Sequence, residues 1–117
     1  AQLQVPQQMA EGRRITDAET LKIVTMVYAG LVNKNIVARL QGLGVNAIGL
    51  SGADGNLIKA KKRTGAAIEY GFVGDVERIN TALLLQLLQA GYTPVVAPIT
   101  HNGEAQLLNT NADTIAQ

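Results

Sequence analysis

"VNAIGL" (residues 45–50) and "PVVAPI" (residues 94–99) are short apolar runs rich in β-branched residues, each bounded by turn formers. Neither alternates between apolar and polar positions, which suits strands buried on both faces. Between them stand a turn, "SGADGN" (51–56), two irregular extended stretches, "LIKAKKR" (57–63) and "AAIEYGFVGDVERI" (66–79), and an apolar segment of helical character, "NTALLLQLLQAGYTP" (80–94). Strand, hairpin excursion, helix, strand is the order of a right-handed α/β crossover on a mostly parallel open sheet. In such folds ligands sit at the carboxyl ends of the strands, where "SGADG" and "THNGE" are expected.

Upstream, "TDAE" (16–19) matches a capping box, with Thr16 accepting from first-turn amides and Glu19 reaching back. The spacing predicts a helix through "LKIVTMVYAGLVNKNIVARLQ" (21–41), with Leu21, Val24, Tyr28, Leu31 and Val32 as a broad apolar face. Gly30 interrupts it at a point suited to close packing of a neighbour, and Gly42 and Gly44 end it. For the later helix Asn80 is the expected cap, Gly91 the stop, and Pro94 lies beyond. "THNGEAQLL" (100–108) turns at Asn102-Gly103 and returns as a strand, and the polar opening segment with Pro6 reads as loop or edge strand.

With 117 residues, 47% of them hydrophobic, the chain has the size of one domain and enough apolar surface for a core. A net charge of +1 argues against a general electrostatic grip on nucleic acid, and 3% aromatics leave little for base stacking. The absence of cysteine excludes disulfides, thiolate metal sites and a thiol nucleophile, and is compatible with a cytosolic home. No uninterrupted apolar stretch reaches bilayer length, and residues 1–14 lack the pattern of a secretory signal. Neither nucleic acid nor membrane is therefore an expected partner.

"NTNAD" (109–113) places Asn109, Asn111 and Asp113 two residues apart. In extended backbone these share one face, with Thr110 and Ala112 on the other. A helix starting at Asn111 would use that residue as its cap, with Asp113 in the first turn. One such residue suffices for a cap, so the surplus suggests amides aimed at a ligand's carboxylate or carbonyl. In "GRRITD" (12–17), Arg13 and Arg14 are either solvated cations or, beside a helix start, part of an anion pocket. "SGADGNLIKAKKR" fails as a phosphate loop because Lys59 falls too far along; an Asp-Gly hairpin is expected, with Lys59, Lys61 and Arg63 pointing to solvent. His101 has no partner at a triad or metal spacing and reads as a surface residue. Asp54, Asp75, Glu77 and Glu104 form no local metal cluster, so no protein metal site is expected.

Taken together, "EGRRITD", "AGLVNKNIV", "AIGLSGADGNLIKAKK", "GFVGDV", "AGYTPVVAPI" and "NTNAD" resemble the acetylglutamate kinases of the amino-acid kinase family, in order and in spacing, from about Met9 to Gln117. The resemblance implies an αβα sandwich on a mostly parallel open sheet, here incomplete. Residues 1–117 would form a single partial domain, the central portion, with much of the acyl-amino-acid-binding half. It implies transfer of the γ-phosphoryl of ATP, with Mg2+ accompanying the nucleotide, to the side-chain carboxylate of N-acetyl-L-glutamate, the second step of arginine biosynthesis. On the matching positions Arg14 would clamp a substrate carboxylate and Asn109 would hydrogen-bond the acylated amino acid. Asn111 would support the same pocket, and Asp113 would orient catalytic lysines. Those lysines and the glycine-rich turns match nothing in this chain, so the chain alone is expected to be inactive. The resemblance also implies a cytoplasmic homo-oligomer, a dimer or higher, pairing through the helix that contains Gly30. N-succinyl-L-glutamate remains an alternative acceptor, and a carbamate or uridylate kinase a remoter one. A non-catalytic carboxylate-binding or oligomerisation module is the alternative of another class.

Overall fold

The computed structural model describes residues 8–10, 13–64 and 71–110, with side chains from Thr16 onward. The parallel centre is a pair of strands, β3 (Ala47–Ser51) and β6 (Thr93–Ala97), registered from Ala47 opposite Thr93 to Ser51 opposite Ala97. Between them the chain makes the expected excursion: a short 3-10 turn (Asp54–Asn56), the antiparallel hairpin β4 (Ile58–Lys62) and β5 (Gly74–Ile79), then helix α3 (Thr81–Gln89). After β6, Pro98 separates β7 (Ile99–His101) from its predecessor, and the chain enters a second sheet of order β5-β4-β7-β8, closed by β8 (Leu107–Asn109). The sheets are tied where the Gly52 N–H donates to the Ile99 carbonyl at 2.6 Å. At the amino-terminal end, β1 (Gln8–Ala10) and β2 (Arg13–Ile15) form an antiparallel pair with Met9 opposite Arg14. The α/β class is as the sequence predicts. Among the described pairings β3–β6 and β4–β7 are parallel, whereas β1–β2, β4–β5 and β7–β8 are antiparallel.

The helical rod Ala18–Gly42 is built from α1 (Ala18–Val24), a π-helical stretch (Thr25–Val32) and α2 (Asn33–Gly42). Its 25 residues are long and apolar enough to cross a membrane by length and composition. It is nevertheless interrupted by Lys22, Asn33, Lys34 and Asn35, and α2 packs on β3 and β6. Asn33 is the anchor: it is buried, and its Nδ2 donates to the Val95 carbonyl at 3.0 Å and, more weakly, to that of Leu50 at 3.5 Å. Lys34 Nζ donates to Asn33 Oδ1 and to the Gly49 carbonyl. Gly49 makes this possible, because a Cβ there would run into the Asn33 amide and stand 2.7 Å from Lys34 Nζ.

Several local expectations change. The cap of α1 is Asp17, whose Oδ1 accepts from the Thr20 N–H at 2.7 Å; Thr16 is unavailable because its backbone bridges Gly71 and its hydroxyl meets Asn109. Of the predicted apolar face, Leu21 is buried, but Tyr28, Leu31 and Val32 are exposed. The wider π-helical turn rotates the helix phase after Val24, and Asn33 takes the sheet-facing place. A Cβ on Gly30 would meet nothing within 4 Å among the described residues. The Asp-Gly turn does not join a hairpin: Gly55 (φ +60°) carries the chain from one sheet to the other, and Asp54 accepts from Ser51. Lys59 and Arg63 are half-buried and paired, with Glu77 and Asp75 respectively, while Lys61 is exposed. The other turns form as read. Gly44 and Gly91 end α2 and α3 at positive φ, Asn80 accepts from the Leu83 N–H, and Asn102 accepts from the Glu104 N–H in a turn through Gly103. Among the described residues the most deeply buried core side chains are Leu57, Ile58, Ala60, Ile99 and Leu108, all nearly inaccessible.

Candidate functional site

Three segments distant in sequence meet on one side of the second sheet. The first is Thr16, immediately after β2; it is fully buried, and its carbonyl accepts from the Phe72 N–H at 2.6 Å. The second is residues 71–74. Gly71 bridges Thr16 at φ +71°, a conformation that favours glycine, and a Cβ there would strike the Thr16 carbonyl. The third is the end of β8, where the Asn109 N–H donates to the Phe72 carbonyl at 2.8 Å. The Asn109 side chain then closes the junction: its Nδ2 donates to Thr16 Oγ1 at 3.3 Å, across 93 positions of sequence.

This geometry bears on two of the four predicted site residues. Asn109 is half-buried and lies at the junction, while its neighbour Thr110 is buried on the opposite side, as alternation in an extended strand requires. Arg14 lies in β2, two residues before Thr16, so the backbone carries it to the same junction. Asn111 and Asp113 lie outside the described residues. Asn109 Oδ1 has no hydrogen-bond partner among the described residues, which leaves an acceptor at the half-exposed end of the strand.

Sequence reading does not place Thr16 or Gly71 in this arrangement. The signal for one of them was present: paired glycines (Gly71, Gly74) in an irregular strand mark close backbone approach. The capping-box spacing points Thr16 to a helix cap instead. His101 is also better connected than its sequence context suggests. Nδ1 accepts from the Gly103 N–H at 3.1 Å, so the ring proton is on Nε2, which donates to Asn56 Oδ1 at 2.6 Å. It ties the Asp54–Asn56 turn to β7 and lies apart from the junction. Beside the junction, the Asp17 carboxylate is held below the usual carboxylate range by the Thr20 backbone N–H and then by the Thr20 hydroxyl.

Among the described residues no group of three or more His, Cys, Asp or Glu side chains could hold a metal ion. The junction itself presents a threonine hydroxyl and an asparagine amide. An amide acceptor and a backbone-placed arginine suit a ligand carrying both a carboxylate and an amide.

The amino acid kinase family model matches residues 1–117. The acetylglutamate kinase of Bacteroides fragilis is 63% identical over 116 residues, 99% of this chain and 44% of that protein. The acetylglutamate kinase of Methanopyrus kandleri is 53% identical over 109 residues, 90% of this chain and 44% of that protein. The chain thus spans less than half the length of these curated relatives. Among solved structures, smu.665 from Streptococcus mutans UA159 superposes with a TM-score of 0.83 at 29% identity, over 96% of this chain and 45% of that one. On the match along its whole length, the chain belongs to the amino acid kinase family.

Proposed function

We propose that the protein carrying this chain transfers the γ-phosphoryl of ATP to the side-chain carboxylate of N-acetyl-L-glutamate. This chain forms the central part of its domain, with much of the half that holds the acylated amino acid. The observation that carries the reading is the Asn109–Thr16 contact, which joins the strand bearing Arg14 to the start of "NTNAD". Two relatives above half identity, both acetylglutamate kinases, support the choice of substrate. Arg14 forks onto a carboxylate of the acylated amino acid. Asn109, steadied by Thr16, offers Oδ1 to a donor such as the acylamide N–H. Asn111 lines the same pocket and Asp113 orients the cationic groups of the reaction.

Transfer between two anions depends on in-line positioning and on neutralising oxygen charge. Residues at this junction would serve the first need, holding the acceptor carboxylate still. Mg2+ bound to ATP phosphates would supply part of the second; the described residues form no site for it, and no step of this proposal passes through them to the metal. The chain by itself is expected to bind acceptor without turning it over. A cytoplasmic place in arginine biosynthesis accompanies the reading.

N-succinyl-L-glutamate is the second acceptor to test, because the groups at the junction address features common to both compounds. The test is ATP-dependent phosphorylation by the complete protein across N-acetyl-L-glutamate, N-succinyl-L-glutamate, L-glutamate, carbamate and UMP. Turnover confined to an N-acylated glutamate supports the proposal, and preference for carbamate or UMP refutes it. We also propose a homo-oligomer: Met26, Leu31 and Tyr28 stand 52%, 63% and 43% exposed on the π-helical stretch, beside the open Gly30. Sedimentation of wild type against Leu31→Lys tests it, with a loss of mass expected in the variant and unchanged mass counting against it.

A further inference from the structure

Thr100 and Thr110 are both buried in the sheet beneath the junction, at 0% and 4% exposure. Their hydroxyl oxygens are 2.9 Å apart. Thr110 Oγ1 also lies 3.1 Å from the Gly74 carbonyl, and Thr100 Oγ1 lies 3.4 Å from that of Leu108. Each hydroxyl has one proton, and a carbonyl can only accept. Both hydroxyls face a carbonyl, and the Gly74 contact at 3.1 Å is shorter than the Leu108 contact at 3.4 Å, so the arrangement that uses the shorter contacts gives the Thr110 proton to Gly74 and the Thr100 proton to Thr110. The hydrogen bonds therefore run in one direction: Thr100 to Thr110 to Gly74.

That relay fastens Thr110 from three sides. Its backbone N–H donates to Pro98 at 3.0 Å, its hydroxyl reaches Gly74 at the start of β5, and Thr100 reaches it from β7. Thr110 is flanked by Asn109 and Asn111, whose side chains carry the proposed acceptor contacts. A residue fixed on the buried side of a strand fixes the direction of its neighbours on the other side. The fit is tight, since a Cβ on Gly74 would stand 2.9 Å from Leu108 Cβ, so the start of β5 cannot follow a displaced β8.

We propose that Thr100 and Thr110 are positioning residues for the acyl-amino-acid site. The hydroxyl relay fixes the exit of β8 and thereby aims Asn109 at the acceptor. This rests on the functional reading above, so its test has one readout that depends on activity and one that does not.

In the complete kinase, Thr110→Val removes the donor to Gly74 at nearly constant volume. KM for N-acetyl-L-glutamate rises about tenfold, with KM for ATP and kcat little changed. Thr110→Ser, which keeps the hydroxyl, restores KM. Thr100→Val leaves the Thr110–Gly74 bond in place and raises the same KM less, about threefold. The independent readout is the Asn109 side-chain amide resonance in labelled protein, which moves in Thr110→Val and returns in Thr110→Ser. If wild type phosphorylates no N-acylated glutamate, the functional reading fails and the amide resonance alone decides the relay. A resonance unmoved by Thr110→Val overturns the inference, as does an equal rise in both KM values or a Ser variant as impaired as Val. If Thr110→Val does not fold, Thr100→Val decides: a selective rise in acceptor KM supports the inference, and an unchanged one overturns it.

Discussion

Gly49→Ala is the most informative single perturbation of the fold, because its cost follows from close contacts with a single helix, α2. A methyl group on Gly49 would occupy the space of the Asn33 amide and stand 2.7 Å from Lys34 Nζ and 3.0 Å from Val37 Cγ2. Asn33 is buried, so it cannot swing into water without taking the start of α2 with it. Displacing it breaks the 3.0 Å bond to the Val95 carbonyl, and leaving buried polar groups unmatched costs about 1–3 kcal/mol. Overpacking adds about 1–3 kcal/mol, so the expected loss is about 2–6 kcal/mol. Asn33→Ala removes the amide instead and costs about 1–3 kcal/mol. In that background the alanine at 49 has room, and the double variant should fall short of additivity by about 1–3 kcal/mol. Urea unfolding followed by circular dichroism measures all four corners of the cycle. Additivity to within about 0.5 kcal/mol would refute the argument that Gly49 exists to admit Asn33.

Other outcomes follow from single sites. Leu108, with no exposure, sits between β7 and the start of β5; Leu108→Ala should cost about 2–5 kcal/mol in the same unfolding assay, and a loss below 1 kcal/mol would show that the site collapses without a cavity. Asp17 has a folded-state pKa below its ordinary 3.8. Its charge therefore stabilises the fold above that ordinary value, and the contribution disappears as pH falls through the lower folded value. Asp17→Ala should be less stable than wild type at neutral pH and converge on it in acid; a constant difference from pH 7 to pH 2 would contradict the capping role.

Much of the fold was legible because the deciding signals are local. The apolar runs at 45–50 and 94–99 form the parallel pair β3–β6, although most of their residues are half-buried rather than covered on both faces, and Gly44, Asn80, Gly91 and Gly103 act within their own turns. What escaped reading depends on partners far away in sequence. Thr16 matches a capping box perfectly well, but Phe72 and Asn109 compete for its carbonyl and hydroxyl, and Asp17 takes over the cap. The observed helix face departs from the predicted one because a 3.6-residue period assumes a regular α-helix, and a π-helical stretch shifts the phase. The candidate site was visible as residue types, two arginines and two amides with a carboxylate. Its supports, Gly71 and the two threonines, carry no chemistry of their own and mark nothing until β5 and β8 are brought together.

The most direct test of the central claim is calorimetric titration of this chain with N-acetyl-L-glutamate, comparing wild type with Arg14→Ala and Asn109→Ala. The account predicts saturable binding by the folded chain that each substitution abolishes or weakens by tenfold or more, on the order of 1.4 kcal/mol. Binding that survives both substitutions unchanged, or no binding by a chain shown to be folded, would contradict it.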